Sequence, residues 1–235
     1  MANAERGSYA LRRAHELDQP FSEAIAATYL ALLQQLRAER ETFTQQAQEA
    51  LELSARFKAT YYRAWAAILV AYARTLGRPD EGALAGLRTA IDSFLQTGAQ
   101  LRMPYYLALL ADALLRSGQA AAGLEAVEQA FSHSRETNER WWDAELHRQR
   151  ALLLVASGAA PAEAEAALKR ALEIARAQQG RSLELRSAHS LATLWADNGR
   201  TREARELLSP LYASFAEGLE TPDLAASREL LARLG

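Results

Sequence analysis

The side chains of this sequence that could do chemistry are its histidines, arginines, carboxylates and large aromatics, because it contains no cysteine. That absence removes thiolate nucleophiles, disulfides and cysteine-held metals. The four histidines, His15, His133, His147 and His189, are scattered. No two of them share the four-residue spacing that sets a pair of imidazoles on one helical face for zinc. No metal and no cofactor is therefore expected. No glycine is followed by lysine, so a phosphate-cradling loop of the P-loop kind is missing. No serine stands in the glycine-flanked setting of a nucleophile elbow. The catalytic reading has nothing specific beneath it, and what remains is recognition. Arginine grips a carboxylate through two parallel hydrogen bonds, and tyrosine and tryptophan offer a stacking face with a polar edge. That chemistry is offered by Tyr105, Asp112, Arg116, Trp141, Trp142, Glu145, Arg148, Arg186, His189 and Thr193.

Charge narrows the class of partner. The 27 basic and 29 acidic side chains leave a formal net charge of -2. They are interspersed without a basic block, so nucleic acid is not the expected ligand. Lys58 and Lys169 are the only lysines. Codon bias explains the excess of arginine more simply than selection for bidentate contacts does. With 49% apolar and 24% charged residues, the chain has the balance of a soluble protein with a continuous core. Its longest apolar run, Ala64 to Ala73, is far shorter than the roughly 20 residues that cross a bilayer. Met1 to Tyr9 is polar and charged, unlike a secretory leader. The expected location is the cytoplasm, without membrane contact.

The elements that must position these side chains are legible from punctuation. Gly77, Gly118, Gly158 and Gly199 lie 41, 40 and 41 residues apart, each closing an apolar run as a helix-ending residue does. Gly98, Asn138, Gly180 and Gly218 form a second series midway between them. Helix, turn and helix thus repeat about every 40 residues. Before the first-series glycines the apolar positions are Ala66, Leu69, Val70 and Ala73; Leu107, Leu110, Ala111 and Leu114; Ala188, Leu191, Ala192 and Trp195. Each set follows the i, i+3, i+4, i+7 spacing of one helical face. Forty residues earlier, Ala26, Tyr29, Leu30 and Leu33 extend the stripe, so a further pair starts near Pro20. The expectation is one helical-repeat domain over 1–235 with twelve helices. It comprises an orphan half-repeat at 3–18, pairs at 20–57, 58–98, 99–138, 139–180 and 181–218, and a capping helix at 222–234. Thr221 and Pro222 suit the start of that last helix, threonine as a cap for free amides and proline at the first helical position. Pro210 removes one backbone hydrogen bond inside its helix.

The fourth pair departs from the pattern, because His147 and Arg150 occupy places that are apolar elsewhere. Burying an unpaired arginine is costly. Either the helix is rotated so that Leu146, Leu153 and Leu154 make the core, or these groups reach a carboxylate such as Glu145 or Asp143; the rotation is preferred. Trp141 and Trp142 either lock adjacent repeats or stand as a contact surface. Nothing in the sequence couples a histidine to an element that could act as a pH switch.

The order Leu110, Ala111, Leu114, Gly118 and Gly123, repeated as Leu191, Ala192, Trp195, Gly199 and Ala204, resembles the tetratricopeptide pattern, although a period near 40 is longer than its usual one. Longer repeats of this kind resemble the maltose-regulator arm of bacterial signalling ATPases. The stretches at 103–115, 139–148, 182–195 and 204–224 are similar to the C-terminal region of bacterial adenylate or guanylate cyclases that also carry a predicted ATPase. The resemblance implies an all-α, tetratricopeptide-like α-solenoid, a right-handed superhelix of antiparallel helix pairs. It also implies a concave groove lined by the first helix of each pair. On that face it places Tyr105, Asp112, Arg116, Glu145, Arg148, Arg186, His189 and Thr193 as exposed binding residues. The plain alternative is a solvated face stitched by weak salt bridges. Two functions follow: a non-catalytic module that binds a protein or peptide, or a regulatory arm acting on other domains of its own polypeptide. The unpaired first helix suggests a chain cut from a longer one, and its exposed end offers a surface for a homodimer through the N-terminal half-repeat.

Overall fold

The computed structural model describes residues 2–77 and 79–235; Met1 and Arg78, which the 1–235 span includes, lie outside the described residues. Among the described residues the chain forms twelve helices and no strand. They are α1 (Ala2–Glu16), α2 (Pro20–Leu36), α3 (Arg40–Arg56), α4 (Thr60–Arg74), α5 (Glu81–Leu95), α6 (Met103–Arg116), α7 (Ala120–Thr137), α8 (Asp143–Ala156), α9 (Pro161–Ala177), α10 (Arg181–Asp197), α11 (Thr201–Ala213) and α12 (Pro222–Arg233). The chain divides into two compact units, Met1–Gln100 and Leu101–Gly235.

Why the helices end where they do is a backbone matter. A residue in the left-handed region recurs every 19 to 21 positions: Asp18, Ala38, Lys58, Gly77, Gly98, Gly118, Asn138, Gly158, Gln179, Gly199 and Gly218. The amide after several of these bonds back five residues, as in Glu39 N–H to the Gln34 carbonyl, Ala59 to Ser54, Gln119 to Leu114 and Arg200 to Trp195. This is the Schellman closure, which satisfies carbonyls a helix would leave bare. Glycine adopts it without penalty, whereas Ala38 and Lys58 each bear a cost of about 1 kcal/mol. The glycine and asparagine series therefore does not mark the early turns, of which the one at Ala38 has no boundary in the sequence reading. At the ninth turn Gln179 (φ 55°) takes the left-handed place. Gly180, expected to end that helix, instead precedes α10 at φ −81°.

In the first unit α2 packs on α1, α3 and α4, and α4 packs on α5. Its core holds Phe43, Trp65, Ile68, Leu69, Leu84, Leu87 and Phe94. The stripe extrapolated onto α2 is turned: Ala24, Ala27, Leu30 and Ala31 are buried, while Tyr29 remains 44% exposed. In the second unit α6 packs on α7 and α8, α8 on α9 and α10, and α10 on α11 and α12. Each pair thus folds on itself, and the first helices of successive pairs lie side by side, the packing of an α-solenoid. Thr221 precedes α12 as expected, but its hydroxyl donates backwards to the Gly218 carbonyl at 2.7 Å rather than capping the helix amides.

Candidate functional site

In the second unit the side-by-side helices α6, α8, α10 and α12 share one polar seam. Tyr105, Glu145 and Arg186 begin it at matching points of the repeat on α6, α8 and α10, and Asp223 continues it on α12. Arg148 grips Glu145 through two parallel hydrogen bonds, 2.9 Å from Nε and 2.6 Å from Nη2, and reaches Ser190 Oγ on α10 at 3.3 Å. Arg186 Nε donates to Asp223 Oδ2 on α12 at 2.7 Å. Arg116 Nη2 donates to Asp112 Oδ2 at 2.7 Å, one turn away on α6. Thr193 returns its hydroxyl to the His189 carbonyl at 2.9 Å. The two-pronged arginine geometry expected from sequence is present, but carboxylates of this chain already occupy it.

Exposure departs from expectation accordingly. Tyr105 is fully buried and Glu145 is 4% exposed. Asp112, Arg116, Arg148, Arg186, His189 and Thr193 are half-buried. These side chains are not a free polar face. Burial alone would push the Glu145 carboxyl upwards, but the Arg148 and Arg186 guanidinia hold it below the usual carboxylate range. Burial opposes the charge of Arg148 and Arg186 too, and the neighbouring carboxylates, Glu145 first, more than offset that and raise both. Tyr105 is raised by burial against the pull of Arg102 and Arg186. Ion pairs withdrawn from water in this way add little net stability, yet removing one partner costs about 3–5 kcal/mol.

Beside the seam stands an aromatic trio. Tyr105 lies 5.7 Å from Trp141 and 5.4 Å, edge to face, from Trp142, and the two indoles are 4.8 Å apart. Tyr105 therefore spends its stacking face on these rings instead of offering it to a partner. Trp142 is buried, whereas Trp141 is 37% exposed and donates from Nε1 to Glu139 Oε1 at 2.7 Å. Glu139 also accepts the Arg102 backbone N–H at 2.8 Å, which ties the start of α6 to the start of α8. Of the ten residues singled out from sequence, Trp141 alone is exposed, and only in part.

Helix α8 is rotated, as preferred from sequence. Leu146 and Leu153 are fully buried and Leu154 packs at the edge of the core. Arg150 points outwards to Glu128 of α7 at 3.5 Å, and His147 rests on the Phe131 ring at 4.7 Å. It is Arg148, not Arg150, that takes Glu145. Asp143 and His147 stand four residues apart, but the carboxylate accepts from Ser134 at 2.5 Å and from Arg140 at 3.3 Å. No group of three or more potential metal ligands exists among the described residues. No described helix is long and apolar enough to cross a membrane.

Sequence reasoning missed Ser190, Asp223 and Ser227, which complete the seam. The signal was a separation of 37 to 42 residues from Arg186, His189 and Arg148, the length of one repeat. It also missed an aromatic face in the first unit. There Phe21 meets Tyr62 at 5.7 Å and Tyr29 meets Trp65 at 5.0 Å, both edge to face, with Tyr61 on Phe94 at 5.6 Å.

No family model matches the sequence. An uncharacterized protein of Rhizobium meliloti (strain 1021) is 28% identical over 200 residues, 85% of this chain, and the chain spans only 18% of that relative's length. Among solved structures, the TPR2AB domain of yeast Sti1, in its complex with pHSP90, aligns over 99% of this chain and 98% of its own at 15% identity. Its TM-score of 0.44 is too low for the likeness to carry an argument.

Proposed function

We propose that this chain is a non-catalytic protein-interaction module, and that the face shared by α6, α8 and α10 receives a peptide or a segment of a partner protein. The observation that carries the reading is the seam itself. A row of paired charges held across successive helices contributes little to stability that apolar side chains would not contribute better, whereas fixed charges confer partner selection. The half-exposed pair Asp112–Arg116 and the exposed edge of Trp141 supply the outward contacts, since aromatic and arginine side chains dominate binding energy where they are anchored.

The test uses the full chain and a displayed peptide library. Reversing Arg116, Arg148 and Arg186 together would set new carboxylates against the buried Glu145 and the half-buried Asp223 and unfold the unit. The informative variant is therefore the double exchange Asp112→Arg with Arg116→Asp, which keeps the pair and inverts its polarity. Peptides selected on the parent chain should lose at least about tenfold in affinity for the exchanged chain, the consequence of about 1.4 kcal/mol, with the helical spectrum unchanged. Equal affinity, or a library from which nothing is enriched, refutes the reading.

A second reading, an intramolecular sensor arm of a multidomain signalling ATPase, cyclase or transcription regulator, draws support from the relative whose length this chain spans only in small part. It expects an antibody against this chain to detect, in source cells, a polypeptide several times larger than 25.9 kDa. A band at 25.9 kDa would favour a free-standing adaptor.

A further inference from the structure

Arginine covers partly exposed aromatic rings of the second unit. Arg200 lies over Trp195 at 4.6 Å and Arg181 over Phe215 at 5.0 Å. Trp141 is different. It is 37% exposed, yet among the described residues no guanidinium lies over its ring. Arg140, its neighbour in sequence, is directed to Asp143 at 3.3 Å. The open part of the indole is therefore left uncovered by this chain.

The ring is held in place and stands beside a negative charge. Tyr105 and Trp142 pack on it at 5.7 and 4.8 Å, and its Nε1–H donates to Glu139 Oε1 at 2.7 Å. Glu139 is fixed in turn, because its oxygens accept the Arg102 backbone N–H at 3.0 and 2.8 Å. A side chain ordered before binding loses little further freedom when a partner arrives. With its one donor spent on a carboxylate, Trp141 cannot hydrogen-bond a peptide carbonyl. What it offers is its π-system, whose face is negative, and a hydrogen bond to a carboxylate polarises the indole further in that sense. Glu139 Oε2 accepts the Arg102 N–H alone and keeps a lone pair for a second donor. An apolar group would use the ring and ignore the carboxylate, and an acidic group would be repelled by both. A cation uses both.

We propose that Trp141 and Glu139 together receive a lysine or arginine of the bound segment, the cation lying over the indole while its N–H groups reach Glu139 Oε2. The assignment rests on the reading of this chain as a protein-interaction module and adds the charge of the segment it takes.

A random dodecapeptide library displayed against the full chain should yield sequences that share a basic residue. Synthetic copies of one such sequence, with that residue kept or replaced by norleucine, are titrated against the parent chain, Trp141→Leu and Glu139→Gln by fluorescence anisotropy of a dye on the peptide. The parent should bind the basic copy about fivefold tighter than the norleucine copy. Trp141→Leu, which keeps an apolar side chain, should bring the two copies towards equal affinity, and Glu139→Gln, which keeps an acceptor for the indole, should do so in part. The ratio is taken within each variant, so a general loss of stability or affinity does not move it. A library from which nothing is enriched overturns the module reading and this assignment with it. Enriched peptides that share no basic residue, or a ratio that either variant leaves at its parent value, overturn the assignment and leave the module reading standing.

Discussion

The two units use one helical repeat and join their first helices by opposite chemistry. In the first, α2 and α4 meet through rings, Phe21 on Tyr62 and Tyr29 on Trp65. In the second, α8, α10 and α12 are linked by a ladder of charges in which Glu145, Arg148, Arg186 and Asp223 each answer another. Ring contacts act by area and shape and are indifferent to pH and salt. Buried ion pairs contribute little while intact and cost much when halved. The comparison teaches that the backbone repeat sets where neighbouring helices meet but leaves open what they say to each other.

The sharpest way to break the comparison is to halve one rung. Glu145→Ala leaves Arg148 buried beside no carboxylate of its own helix and should destabilise the second unit by about 3–5 kcal/mol in urea unfolding. The double change Glu145→Met with Arg148→Met should recover most of that loss, and a double variant as unstable as the single would show that the rung is more than a compensated pair. In the first unit Trp65→Ala should cost a similar amount, about 3–5 kcal/mol, with no dependence on ionic strength; a salt-dependent loss would place charge where the structure places rings.

A smaller effect separates packing from charge within the second unit. A Cβ on Gly123 would come 2.4 Å from Leu153 Cδ2 and 3.3 Å from Leu153 Cδ1. Gly123→Ala should therefore cost about 1–3 kcal/mol through overpacking, measured by thermal unfolding, and a neutral result would mean that Leu153 moves aside freely. Acid should act on the second unit through its shifted groups. His147 and His189 are both held below their ordinary value, burial being the first cause in each. The second unit should lose stability as pH falls from about 6.5 through those lowered values. The lowered Glu145 carboxyl adds a loss only at more acid pH, as it too is forced to protonate. Circular dichroism melts of the parent chain and of His147→Gln with His189→Gln test this, the double variant being expected to flatten the upper part of the profile. The smallest effect lies in the turns: Ala38→Gly and Lys58→Gly should each gain up to about 1 kcal/mol by relieving a left-handed residue, and no gain would mean that unfolded-state entropy cancels the relief.

Local pattern was enough to predict the helices. Their number, their order and the rotation of α8 follow from apolar spacing and from the cost of burying Arg150, both of which are properties of a single helix. The turn at Ala38 and the displacement from Gly180 to Gln179 were not legible, because a backbone hydrogen-bond pattern, rather than residue type, imposes the left-handed conformation there. The candidate site was legible as a set of residue types and not as an arrangement. Arg148, Arg186 and Tyr105 stood out as groups able to hold a partner. That Arg186 holds Asp223, 37 residues away, and that Tyr105 meets the two tryptophans depends on contacts between different repeats, whereas Arg148 and Glu145 lie three residues apart on α8. A one-residue change in the rotation of either helix moves such contacts by about 100° around its axis. Composition and spacing determined that this chain is a series of helix pairs; only the tertiary structure decided which charges of different helices face one another, because pairing across repeats is a matter of helix rotation, which sequence spacing does not carry.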